Sequence, residues 1–214
     1  MTAAPDGGRS GDGPAGAAAR PRFAALLVFA ALAWTTTAPA ANLEIVGGLA
    51  TDFHLFSQRE YHGYRNGALG LVVSPGRWRG FGVEFRAEHL WGTIGLGEDQ
   101  FPPGWDGTGP RTVTLDHWLA GILPLWRGTL WRGLEFEGGA GMTWLDRVIL
   151  EDGSRWNFLL MAGLRWRFGG SEGPVAVGLR FEHISNGGDI GFTDASVIGL
   201  ESVALSVAWR VGGG

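Results

Sequence analysis

His183-Ile184-Ser185-Asn186 and, further along the chain, Glu201 bring together an imidazole, a hydroxyl, an amide and a carboxylate. These are the groups of a serine esterase. The hydroxyl attacks, the imidazole takes its proton and returns one to the leaving alcohol, the carboxylate orients the imidazole, and an amide donates to the oxyanion. A serine is a poor nucleophile alone, so the chemistry requires that these groups meet. On spacing alone His-x-Ser is weak evidence, because a histidine near a strand end commonly just hydrogen-bonds to a loop. The elements that carry the residues decide between the two.

Those elements read as strands. In Val175, Val177, Leu179, Phe181, His183 and Ser185 one parity runs apolar and then ends in the histidine and the serine, while Arg180 and Glu182 take the other. Glu201 shares parity with Val203, Leu205, Val207, Trp209 and Val211. Trp156 to Phe168 alternates in the same way, with Arg165 and Arg167 opposite its large apolar groups. Further candidates are Leu43 to Phe53, Ala68 to Ser74, Trp78 to Trp91, Thr112 to Leu125 and Leu134 to Asp146, which with Trp156 to Phe168, Pro174 to Ser185 and Glu201 to Val211 makes about eight strands. His54 to Gly67, Gly92 to Arg111, Arg147 to Arg155 and Asn186 to Leu200 are long connections. Pro75 to Arg77 and Gly169 to Gly173 are tight, and Trp126 to Gly133 is intermediate.

Alternating long and short connections are the asymmetry of an outer-membrane barrel. Lipid cannot satisfy backbone amides, so only a sheet without a free edge can span it. The fold expected is therefore all-β, an eight-stranded antiparallel transmembrane β-barrel. Its interior would hold Glu84, Arg86, Glu88, Asp116, Glu135, Glu137, Arg165, Arg167, Arg180, Glu182 and Arg210 as internal ion pairs. A soluble lipocalin-like barrel is the alternative, with the parities inverted. Trp78, Trp91, Trp144, Trp156 and Trp166 at strand ends favour the membrane. His183, Ser185 and Glu201 then all face outward, beside one external loop if the N-terminus is periplasmic. A charge facing lipid is tolerated best near the interface, and baring these groups adds nothing to stability.

Composition sets the compartment. The 214 residues carry a formal net charge of −4 and no cysteine, which offers no basic face for nucleic acid, no disulfide framework and no thiolate metal site. A tract carrying Arg9, Arg20 and Arg22 precedes an apolar run of about 12 residues, Phe23 to Trp34. That run is short for a membrane span and suits a signal-peptide core; Ala38-Pro39-Ala40 offers small residues for cleavage before Ala41. The expected organisation is a leader over 1–40 and a barrel domain over 41–214. His54, His62, His89 and His117 have no metal-ligand spacing.

His183-Ile184-Ser185-Asn186-Gly187-Gly188, followed by Gly199-Leu200-Glu201-Ser202 at the head of the last strand, resembles the lipid A 3-O-deacylases (PagL), whose pattern is His-x-Ser-Asn-x-Gly with a later Gly-x-Glu-Ser. The resemblance implies an esterase of the Gram-negative outer membrane that removes the acyl chain at the 3-position of lipid A. It implies His183 as base, Ser185 as nucleophile, Glu201 as acid, Asn186 and Gly188 at the oxyanion hole, and no metal or other cofactor. Its partners are lipid A within lipopolysaccharide and membrane lipids, with no nucleic acid; a homodimer is compatible with it. Two departures stand out. The stretch from Ser185 to Glu201 is longer than the family pattern, which leaves Asp189 or Asp194 as alternative acids, and the chain lacks a terminal aromatic residue, a part Trp209 can take. Outer-membrane phospholipase A also shows His-x-Ser-Asn-Gly, but it resembles a twelve-stranded, calcium-dependent barrel with an amide as third group. An inert adhesive or structural barrel is the non-enzymatic alternative.

Overall fold

The computed structural model describes residues 41–53, 62–75, 80–96, 100–150, 153–186 and 199–211. The leader expected over 1–40 lies outside them. Eight antiparallel strands close in chain order: β1 (Ala41–Asp52), β2 (His62–Pro75), β3 (Phe81–Gly95), β4 (Thr112–Trp131), β5 (Leu134–Leu145), β6 (Trp156–Phe168), β7 (Val175–Ser185) and β8 (Leu200–Val211). β8 pairs back onto β1, from Leu43 opposite Val211 to Asp52 opposite Ser202, so no edge remains. The fold is the all-β eight-stranded barrel that the period-two pattern calls for, and β6 has the bounds that its alternation predicts.

Outside, the barrel is apolar. Ile45, Leu49, Leu69, Ile122, Leu160, Leu164, Leu179, Leu205 and Trp209 stand exposed around the wall, a surface that fits hydrocarbon and not water. The interior has two layers. Toward the end that carries the long connections, Leu90, Ile94, Leu115, Leu119, Leu145, Ile149, Leu150, Leu159, Ile184 and Leu200 pack an apolar plug. Below it lies an ionic network. Arg86 meets Glu88 at 2.7 Å and Glu182 at 2.9 Å, and Arg180 meets Glu137 at 2.6 Å and Glu84 at 3.1 Å. Arg165 meets Glu135 at 2.5 Å and Glu44 at 2.9 Å, and Arg167 meets Glu135 at 3.0 Å. Each of these charges is buried, so the pairing chiefly offsets the desolvation that burial costs. A cavity of about 260 Å³ opens at the short-turn end beside Glu44, Arg127 and Arg210.

Three expectations need correction. β2 begins at His62, so Tyr64 and Asn66 belong to a strand and point inward. β4 runs through the expected Trp126–Gly133 connection to Trp131, because Arg127 turns inward to Glu44 at 2.7 Å and a bulge between Thr129 and Trp131 absorbs the irregularity. The remaining turn is Arg132-Gly133, with φ of 30° and 94°, the left-handed pair that a two-residue hairpin demands. Asp116 is outside, not inside: Leu115, His117 and Leu119 are buried, and the Asp116 side chain is 68% exposed. Both parities of β4 are rich in leucine or tryptophan near the plug, so alternation alone did not fix its sign.

Candidate active site

The site is built by the alternation of β7 and β8. Glu182, Ile184, Leu200 and Ser202 are buried on the inner face, and this leaves His183, Ser185, Gly199 and Glu201 on the outer one. Ile184 and Leu200 anchor the two strands in the apolar plug between the functional positions. The side chains outside thus stand on backbone that cannot slip register without expelling a leucine or isoleucine from the core.

His183 and Glu201 are direct cross-strand partners. Nδ1 of His183 lies 3.3 Å from Oε1 of Glu201, within ion-pair reach but without the alignment of a hydrogen bond. The Glu201 side chain is only 2% exposed although its parity faces outward, while that of His183 is 26% exposed. Phe53 and Phe181 meet edge to face beside it, with centroids 6.3 Å apart. In so dry a setting the attraction between carboxylate and imidazolium is stronger than in water. With Nδ1 turned to Glu201, Nε2 is the nitrogen left for a proton acceptor's work.

Ser185 lies two residues from His183 on the same face, about 6.6 Å along the strand at ~3.3 Å per residue. Across β6, Ser185 is opposite Phe158, and His183 is opposite Leu160. Apolar side chains therefore border the serine on the β6 side. Gly199 stands on the other side of the imidazole: a Cβ there would lie 3.3 Å from Cε1 of His183. Asn186 follows on the inward parity, where it is buried and lines a cavity of about 10 Å³ with Asn157, Ser154 and Leu200. Gly188, Asp189 and Asp194 lie outside the described residues.

Two groups escaped the sequence reading. Tyr64 sends its hydroxyl to the Glu201 carbonyl, and the signal was hidden because its segment looked like loop. His89 and Asp116 form a second outward imidazole–carboxylate pair at 2.8 Å, with His89 stacked between Trp91 and Trp118. Neither β3 nor β4 contains a serine, and the hydroxyls nearest this pair on its outward parity are those of Thr93 and Thr114, which stand opposite each other.

The class is thus a closed eight-stranded membrane barrel that carries a serine, a histidine and a covered glutamate at outward positions of its wall. The family profile of lipid A 3-O-deacylase (PagL) matches residues 79–210, more than half of the chain, and the chain belongs to that family. Among solved structures, the outer membrane enzyme PagL is similar at 18% identity and TM-score 0.47, covering 80% of this chain and all of its own (100%). A de novo designed transmembrane β-barrel is similar at 12% identity and TM-score 0.45, covering 81% of this chain and 97% of its own. Ail, the attachment invasion locus protein of Yersinia pestis, is similar at 9% identity and TM-score 0.43, covering 80% and 97%. No curated protein matches the chain.

Proposed function

We propose that this barrel hydrolyses the ester that holds the acyl chain at the 3-position of lipid A, in the outer leaflet of the outer membrane, by a Ser185/His183/Glu201 mechanism. The observation that carries the reading is the cross-strand meeting of His183 and Glu201 on the lipid-facing wall, on the face that also bears Ser185. Nε2 of His183 takes the Ser185 proton as Oγ bonds to the ester carbonyl carbon. The imidazolium so formed is stabilised by Glu201, and the oxyanion by the backbone N–H of Asn186, whose side chain is turned inward, and by Gly188. Breaking the carbon–oxygen bond to the sugar then returns the proton to the leaving alcohol. Water, deprotonated by the same imidazole, attacks the acyl-enzyme and frees the hydroxy acid and Ser185.

The geometry suits an ester at the boundary of hydrocarbon and headgroup. A lipid A molecule need not leave the bilayer, because the nucleophile stands on the outside of the barrel. The apolar wall beside Ser185, with Phe158 and Leu160 facing outward, fits an acyl chain lying along it. In this reading residues 41–214 form the exported domain, and 1–40 are removed on export. The test is mass spectrometry of lipid A from membranes that carry the protein or its Ser185→Ala variant at matched folded levels. The native chain should release the 3-linked hydroxyacyl group; equal release by Ser185→Ala would overturn the nucleophile.

A further inference from the structure

Glu201 sits where β8 has just begun. The β1–β8 ladder stops at Asp52 opposite Ser202, so Glu201 lies one residue beyond its last pair. On that flank its backbone is held by two donors to one carbonyl. The Phe53 N–H reaches the Glu201 oxygen at 3.0 Å, and the Tyr64 hydroxyl reaches it at 2.5 Å. Tyr64 belongs to β2, which is not a neighbour of β8, so the phenol crosses beneath β1 through the barrel interior to make this bond. It is 1% exposed, and its phenol lies beside the buried side chain of Ser202, the inward-facing residue next to Glu201.

We propose that Tyr64, with Ser202, is a positioning residue for the esterase: from inside the barrel it fixes the first residues of β8 so that the Glu201 carboxylate stays against His183. The inference rests on the Ser185/His183/Glu201 reading. The physical need is specific. A strand's first residues follow a long connection and fray readily, and a carboxylate that orients a base must be held to within a fraction of an ångström. β7 fixes Glu201 on one side through the His183 and Ile184 pairs. Tyr64 and Phe53 fix it on the other. The phenol therefore ties an external acid to the rigid interior, with no contact of its own to substrate. The same contact accounts for the serine that follows the glutamate: Ser202 faces away from the site and toward the phenol.

The experiment compares four full-length barrels refolded in detergent: native, Tyr64→Phe, Glu201→Ala and the double variant. Initial rates are measured against concentration on lipid A with an ester-linked 3-hydroxyacyl chain. Tyr64→Phe keeps the ring and removes one hydroxyl. Its kcat should fall about tenfold, a modest share of what misplacing a catalytic group costs, with KM unchanged. In the Glu201→Ala background the same substitution should cost nothing further, because the group it positions is gone. An equal fall in both backgrounds, or a native kcat in Tyr64→Phe with Glu201→Ala impaired, would overturn the positioning role. Native activity in Glu201→Ala would instead overturn the acid assignment beneath it. Should Tyr64→Phe fail to assemble, Ser202→Ala, which keeps the phenol and removes the hydroxyl beside it, carries the same comparison.

Discussion

At the scale of single residues, the proposed mechanism divides labour between groups that react and groups that hold them. Removing Ser185 or His183 should each abolish release of the 3-linked acyl chain, because nucleophile and base act as a unit whose losses do not add. Glu201→Ala should retain more activity than either, since the nucleophile and the base stay in place; deacylation measured by mass spectrometry ranks the three. Loss in Asp189→Ala or Asp194→Ala, with Glu201→Ala undiminished, would move the acid into the loop. Gly199 has a different part. A Cβ there would lie 3.3 Å from the His183 ring, so the branched side chain of Gly199→Val should displace the imidazole and cut activity without unfolding the barrel. Activity of Gly199→Val equal to native would show that the ring has room to move. The proposed chemistry needs no ion to make its nucleophile, so activity should survive EDTA; loss on chelation with rescue by calcium would point to a phospholipase instead.

At the scale of elements, the tight hairpin between β4 and β5 is the most demanding backbone feature. Arg132 at φ 30° and Gly133 at φ 94° adopt conformations that favour asparagine and glycine. Gly133→Ala should destabilise the barrel by more than about 1 kcal/mol, because the added Cβ meets the Arg167 carbonyl oxygen at 2.6 Å on top of the backbone strain. Arg132→Asn should stabilise it by roughly 0.5–1 kcal/mol. Urea denaturation in detergent, followed by the folded band on an unheated gel, checks both signs. Neither substitution should alter deacylation, since this hairpin and the His183/Ser185 end lie at opposite ends of the barrel.

At the scale of the molecule, a small barrel has no room for both a channel and a core, and this one fills its interior with paired charge and an apolar plug. Arg180 bridges Glu84 and Glu137 across the lumen, all three buried. Arg180→Met should therefore cost about 3–5 kcal/mol, the penalty of leaving buried carboxylates without their partner. A urea midpoint equal to native would contradict that account. With the plug and the network intact the purified monomer should not conduct; steady single-channel currents in planar bilayers would refute the closed interior.

The sequence by itself determined what depends on local pattern. Period two set the strands, loop lengths set the two ends, and parity placed His183, Ser185 and Glu201 on the outer wall, because a strand alternates its side chains whatever it pairs with. Where both parities are apolar that rule is silent, and Asp116 was misplaced for that reason. Tertiary structure decided what depends on register and closure. That Glu201 is opposite His183, that Arg127 belongs to an extended β4, and that Tyr64 reaches β8 from β2 are facts about chain segments far apart in sequence. They follow from the stagger at which eight strands close, a property of the whole sheet that no single strand encodes.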